Sequence, residues 1–156
     1  MRSNAAVALG GGAMAASYFL PWIADGFAGG LLGGSAVIPH EALTPLVRDR
    51  GAETPVELLG FIATFALAGI VTVLALVNAA SRILVLAAGA APFAWLGWMF
   101  LRLRDGASAA GLPMPAPDSA DLSALWEILR EVSQIGLWAY LGAAVLLLIL
   151  AIADPG

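Results

Sequence analysis

The chain has no cysteine, no lysine and a single histidine. Without cysteine it can form no disulfide, thiolate metal site, iron–sulfur cluster or covalent haem attachment. His40 has only Glu41 beside it as a further metal ligand, and no serine or threonine has a plausible base partner. We therefore predict no catalytic residue, no metal site and no cofactor, and interpret His40 as a loop histidine.

Charge is also scarce. Charged residues make up 12% of the chain and hydrophobic residues 61%, whereas an average soluble domain is about 25% charged. The net charge is −4, and the basic residues, all arginine, form no basic patch. We therefore expect no nucleic-acid partner.

Long apolar stretches dominate the chain. A helix needs about 20 apolar residues to cross a hydrocarbon layer of ~30 Å. Four stretches reach about this length without a charged residue in their interior, and they lie at residues 5–23, 55–80, 83–101 and 132–153. We predict one all-α integral membrane domain over residues 1–156, folded as a four-helix antiparallel bundle with long connections at 24–54 and 102–131.

The first stretch also resembles a signal peptide, because Arg2 precedes small apolar residues and an Ala-Met-Ala motif at 13–15. We interpret it as the first span. Ala8, Gly12 and Ala16 lie four residues apart and predict a face on which another helix packs closely.

The second stretch begins with a capping pattern. Thr54 can cap the helix, Pro55 suits its first position, and Glu57 would complete a capping box. Small residues then recur every fourth position and predict a packing face, with a polar path along the threonines as the alternative. This face consists of Gly60, Thr64, Ala68 and Thr72.

Three features of the sequence concern the third and fourth stretches. Only residues 78–82 separate the second stretch from the third, which predicts a tight antiparallel hairpin. Pro92 removes one backbone hydrogen bond and predicts a bend that neighbouring helices tolerate. Before the fourth stretch, residues 119–131 predict an interfacial amphipathic helix.

Aromatic residues gather at the end of the predicted bundle that carries the long connections. An aromatic belt at the membrane surface is one explanation. A recognition surface is the other, since the glycine-rich apolar segment 26–34 and the amphipathic helix lie at the same end. The predicted partner or lipid contacts are Trp22, Phe27, Leu31, Leu32, Trp95, Trp98, Leu122, Trp126 and Leu129.

The sequence signals that predict orientation in the membrane conflict with one another. The terminal side holds Arg2 and Arg82, and the side with the long connections holds the other five arginines, which by count favours cytoplasmic loops. Arg2 directly precedes the first span, however, and Arg82 lies in the tightest turn. We predict cytoplasmic termini.

Residues 18–23, Tyr-Phe-Leu-Pro-Trp-Ile, resemble the end of the first helix in small bacterial four-span proteins, where a long outer loop follows. The helix order is also similar to that of claudin-like proteins. These resemblances imply cytoplasmic termini and an outward long loop. The paired cysteines of the claudin loop are absent, so a barrier function is not implied.

Three classes of function are compatible with these features. We favour a non-catalytic structural, accessory or assembly subunit of a larger bacterial inner-membrane complex, with an energy-converting assembly as one candidate. Its partners would be other integral membrane subunits, identical copies and membrane lipids. The alternatives are the membrane component of a small transporter, which the absence of buried charge disfavours, and a lipid- or quinone-binding membrane protein.

Overall fold

The computed structural model of the protein describes residues 2–23, 37–109, 111, 126–127, 130 and 133–153. Over these residues the fold is all-helical, as predicted, and contains no β-strand. Short 3-10 turns cover Ser17–Phe19 and Gly51–Glu53. The α-helices are α1 Arg2–Ala16, α2 Pro39–Arg50, α3 Val56–Leu76, α4 Arg82–Ala109 and α5 Ile135–Ala153.

Three of these helices, α3, α4 and α5, are long and apolar enough to cross a membrane. The first apolar stretch forms an α-helix of only 15 residues, shorter than predicted from its composition. The helix ends because the Ser17 hydroxyl donates to the Met14 carbonyl at 2.6 Å and the Leu20 amide donates to the Ser17 carbonyl at 3.1 Å. Pro21 then has no amide hydrogen to donate to a further helical hydrogen bond.

Each of the four apolar helices packs against two of the others. α1 lies against α3 and α5, and α4 lies against α5 and α3. The α3–α4 connection at residues 77–81 is the predicted tight hairpin, and Asn78 takes a left-handed conformation there, with φ of 58°. The buried core includes Val7, Met14, Phe65, Ala68, Val71, Val85, Ala88, Tyr140, Ala144 and Leu147.

Small residues set the helix spacing. A Cβ built on Gly11 would lie 3.0 Å from the Ala68 carbonyl oxygen, so α1 approaches the α3 backbone closely there. Within the predicted face of α1, Ala8 and Gly12 are half-buried and Ala16 is exposed. This close approach falls one residue before Gly12, a rotation of about 100° around the helix.

The start of α3 differs from the sequence prediction. Pro55 is the N-cap, in an extended conformation, and no side chain caps the helix. The Thr54 hydroxyl donates instead to the Gly51 carbonyl at 2.6 Å and closes the preceding 3-10 turn. The capping box predicted for Thr54 and Glu57 is therefore wrong, because the threonine side chain is already used by that turn.

The second long connection begins later than predicted. α4 continues as an α-helix through the buried Pro92 and ends at Ala109 rather than at residue 101. Trp126, Glu127 and Arg130 are helical, as the interfacial helix requires. The rest of that predicted helix, and the glycine-rich segment 26–34, lie outside the described residues.

Candidate functional site at the aromatic end

The end of the molecule opposite the hairpin is built on a backbone junction. The Trp22 amide donates to the Val37 carbonyl at 2.9 Å, and the Gln134 amide donates to the Trp22 carbonyl at 2.9 Å. The Gly136 amide also donates to the Pro21 carbonyl at 2.9 Å. These hydrogen bonds join the chain after α1 to the starts of both α2 and α5.

Six aromatic rings pack on this junction and form what we call the aromatic cluster. The Trp22 and Tyr140 ring centroids are 4.9 Å apart, and those of Phe61 and Trp95 are 4.8 Å apart. Such pairs contribute about 0.5–1.5 kcal/mol each beyond their buried area. The cluster comprises Tyr18, Trp22, Phe61, Phe65, Trp95 and Tyr140.

Two of the tryptophans predicted as partner contacts are therefore packing residues. Trp22 is half-buried, and its indole N–H donates to the Ser17 carbonyl at 2.8 Å. The Trp95 indole N–H donates to the Glu57 carbonyl at 2.9 Å, across α3 and α4. A Cβ on Gly60 would lie 3.1 Å from the Trp95 ring, so this glycine makes room for the indole.

A buried hydrogen bond lies inside the cluster. The Thr64 and Tyr140 hydroxyl oxygens are 2.6 Å apart, and Thr64 also donates to the Phe61 carbonyl at 2.7 Å. Because threonine has one hydroxyl hydrogen, Tyr140 is the donor to Thr64. Thr72 similarly donates to the Ala68 carbonyl at 2.8 Å. Both hydroxyls of the predicted packing face are thus used within the fold.

This pairing predicts unequal effects of two conservative substitutions. In Thr64→Val the buried Tyr140 hydroxyl loses its acceptor, which costs about 1–3 kcal/mol. In Tyr140→Phe the Thr64 hydroxyl keeps its bond to Phe61, so we expect a loss of about 1 kcal/mol or less. Thermal unfolding in detergent, followed by circular dichroism, measures the difference. Equal losses, or a larger loss in Tyr140→Phe, would contradict this assignment of donor and acceptor.

Two further tryptophans are about half exposed. Trp126 and Trp138 meet edge to face with centroids 5.8 Å apart, and 55% and 44% of their surfaces are exposed. Trp98 is half-buried, and the Arg102 guanidinium lies 5.1 Å from its ring centroid. Trp138 and Tyr140 are not among the contact residues predicted from the sequence, although they are the sole aromatic residues of the fourth apolar stretch.

Helix α2 lies across the cluster and leaves open apolar grooves beside it. One groove, on the α4 side, has a volume of about 270 Å³ and runs between Leu43, Phe61, Trp95 and Met99. A smaller one of about 120 Å³ continues past Leu43 and Phe61 towards Trp22.

His40 lies in the first turn of α2 rather than in a loop, 4.9 Å from the Phe19 ring. Within the described residues, no group of three acidic or histidine side chains could hold a metal ion. Of the predicted contact residues, Phe27, Leu31, Leu32, Leu122 and Leu129 lie outside the described residues.

Comparison of the chain with protein-family models, curated proteins and solved structures gives no match. The functional proposal therefore rests on the residues of this chain.

Proposed function

We propose that the protein is a non-catalytic integral membrane subunit that crosses the bacterial inner membrane four times and binds a larger membrane complex through its aromatic end. Membrane insertion is supported by the apolar surface of the long helices. Val73 on α3, Ile83 on α4 and Ile152 on α5 are each at least 60% exposed. Soluble monomers rarely expose continuous apolar patches of more than a few hundred Å².

Helix α1 serves as the first span in this proposal. Its 15 residues and the three of the following 3-10 turn rise about 28 Å in total, close to the ~30 Å of the hydrocarbon layer. Val7 and Met14 are buried within the helix assembly, so α1 cannot be a detached surface helix. The termini and the hairpin face the cytoplasm, and the aromatic end faces the opposite side.

The Trp126–Trp138 pair is the observation that carries the accessory-subunit proposal. Other aromatic side chains at this end, such as Trp22 and Tyr140, are used in internal packing, whereas these two indoles are about half exposed and already ordered against each other. Exposed, pre-ordered tryptophans are the residues that most often anchor interfaces. The partner is another integral membrane subunit, and transport is disfavoured because Thr64 and Thr72 bond within the fold.

Replacing Trp126 and Trp138 together by alanine should release the partner while leaving the helices folded. Loss of an aromatic anchor costs about 2 kcal/mol or more, which corresponds to at least about a tenfold loss of affinity. Copurification from native membranes in mild detergent measures the stoichiometry of the complex. The matched control replaces Leu76 and Ile83, which are 70% and 78% exposed at the hairpin end, by alanine.

In the control variant the partner should remain bound. If the Trp126 and Trp138 variant also retained every partner at full stoichiometry, the two indoles would belong to a membrane belt and the proposed contact would be wrong. If the purified protein alone catalysed turnover or solute flux, the accessory role itself would be wrong.

A further inference from the structure

The groove between α2, α3 and α4 combines an apolar interior with a charged rim. Phe61 and Trp95 form its floor, and Leu58 and Met99 line its sides. At its outer end Glu57 on α3 faces Arg102 on α4, one turn beyond Met99 on the same helix face. We call Glu57 and Arg102 the rim pair.

The rim pair is loosely held. The Arg102 Nη1 and Glu57 Oε1 atoms are 3.9 Å apart, and the two side chains are 59% and 33% exposed. An exposed ion pair at this distance contributes little to stability, so separating it for a ligand costs little. Both groups are nevertheless positioned. The guanidinium lies over Trp98, and the Glu57 backbone accepts the Trp95 indole hydrogen bond.

We propose that this groove binds one zwitterionic phospholipid whose headgroup carries a primary ammonium, as phosphatidylethanolamine does. The lipid phosphate accepts hydrogen bonds from Arg102, the ammonium donates to Glu57, and one acyl chain lies along Phe61 and Trp95. The rim pair offers one positive and one negative group, opposite in sign to the phosphate and the ammonium of this headgroup. The inference rests on the membrane insertion proposed above, but not on the partner subunit.

The headgroup must supply the selectivity. An acyl chain leaves a lipid environment that is as apolar as the groove, so its transfer favours no particular lipid. Guanidinium–phosphate hydrogen bonds are short and charge-assisted, and they can be bidentate. A quaternary ammonium has no hydrogen to donate to Glu57, and a glycerol headgroup has no positive charge.

Native mass spectrometry of the purified full chain tests the proposal, with phosphatidylethanolamine, phosphatidylcholine and phosphatidylglycerol of identical acyl chains added in turn. We expect one retained phosphatidylethanolamine, preferred on the order of tenfold over the other two lipids. Arg102→Gln should remove this retention by a similar factor. Glu57→Gln should shift the preference towards phosphatidylglycerol. Arg104→Gln, which changes an exposed arginine on the opposite face of α4, should have no effect.

A second pair of variants tests the groove itself. Met99→Trp should fill the groove and displace the lipid, whereas Leu101→Trp, at an exposed position of the same helix, should not. Equal retention of the three lipids, or retention unchanged in both Arg102→Gln and Met99→Trp, would overturn the proposal. Alkaline extraction of membranes separates the two hypotheses. If the protein is released, membrane insertion fails as well. If it stays in the membrane without lipid preference, only the lipid site fails.

Discussion

Replacing Gly89 by leucine will lower the thermal unfolding midpoint far more than the same change on the exposed side of α4. A Cβ at Gly89 would lie 2.9 Å from the Ala144 carbonyl oxygen and 2.9 Å from the Leu148 amide nitrogen. Backbone atoms cannot turn aside as a flexible side chain can, so α4 and α5 would have to separate. Overpacking of this kind costs about 1–3 kcal/mol or more.

Gly97→Leu is the matched control for Gly89→Leu. Gly97 lies on the same helix, and a Cβ there would meet nothing within 4 Å among the described residues. Circular dichroism in detergent follows the loss of helix in both variants. If the two midpoints were equal, the close contact between α4 and α5 would be wrong.

Replacing Gly136 by alanine will disrupt the junction that orders the aromatic end. The added Cβ would lie 2.7 Å from the Pro21 carbonyl oxygen and would contact the Trp22 indole. It would therefore strain the hydrogen bond from the Gly136 amide to that same oxygen. We expect a loss of about 2–3 kcal/mol and a changed near-ultraviolet circular dichroism signal, because Trp22 packs on Tyr140.

Gly142→Ala provides the comparison on α5. A Cβ at Gly142 would meet nothing within 4 Å among the described residues. Alanine is the better helix former by about 1 kcal/mol, so this variant should be as stable as the natural chain or more so. A Gly136→Ala protein with unchanged stability and an unchanged aromatic signal would show that α5 does not begin against Trp22.

The helices could be predicted from the sequence because apolar length is a local property. The stretches around α3 and α5 are apolar for about as long as the helices run, and the short 77–81 connection leaves no geometry but a hairpin. Helix α4 continues beyond its apolar stretch to Ala109. The end of α1 was not predictable in the same way. Most of its residues remain apolar, and the helix stops because of the hydrogen bonds of Ser17, the proline at position 21 and the junction at Trp22.

The other differences between the predicted and the observed structure arise from helix rotation and from contacts between residues that are distant in sequence. A run of small residues shows that a helix face can approach a neighbour, but a shift of one residue turns the helix by about 100°. The sequence therefore pointed to Gly12, whereas the glycine that approaches the α3 backbone most closely is Gly11. It also showed that the aromatic residues gather at one end. Which of them pack inside depends on pairs distant in sequence, such as Trp22 and Tyr140.

Single-cysteine labelling tests the proposed membrane topology most directly, because the natural chain has no cysteine to interfere. Cysteines placed at Asn4, Ser81 and Asp105 would be treated with a membrane-impermeant maleimide from each side of the membrane. The Asn4 side chain donates to Asn78 in the hairpin at 2.9 Å, so positions 4 and 81 lie at one end of the molecule. We predict labelling of both from the cytoplasm alone and labelling of position 105 from the opposite side alone. Labelling of positions 81 and 105 from the same side would contradict the proposed crossing of the membrane.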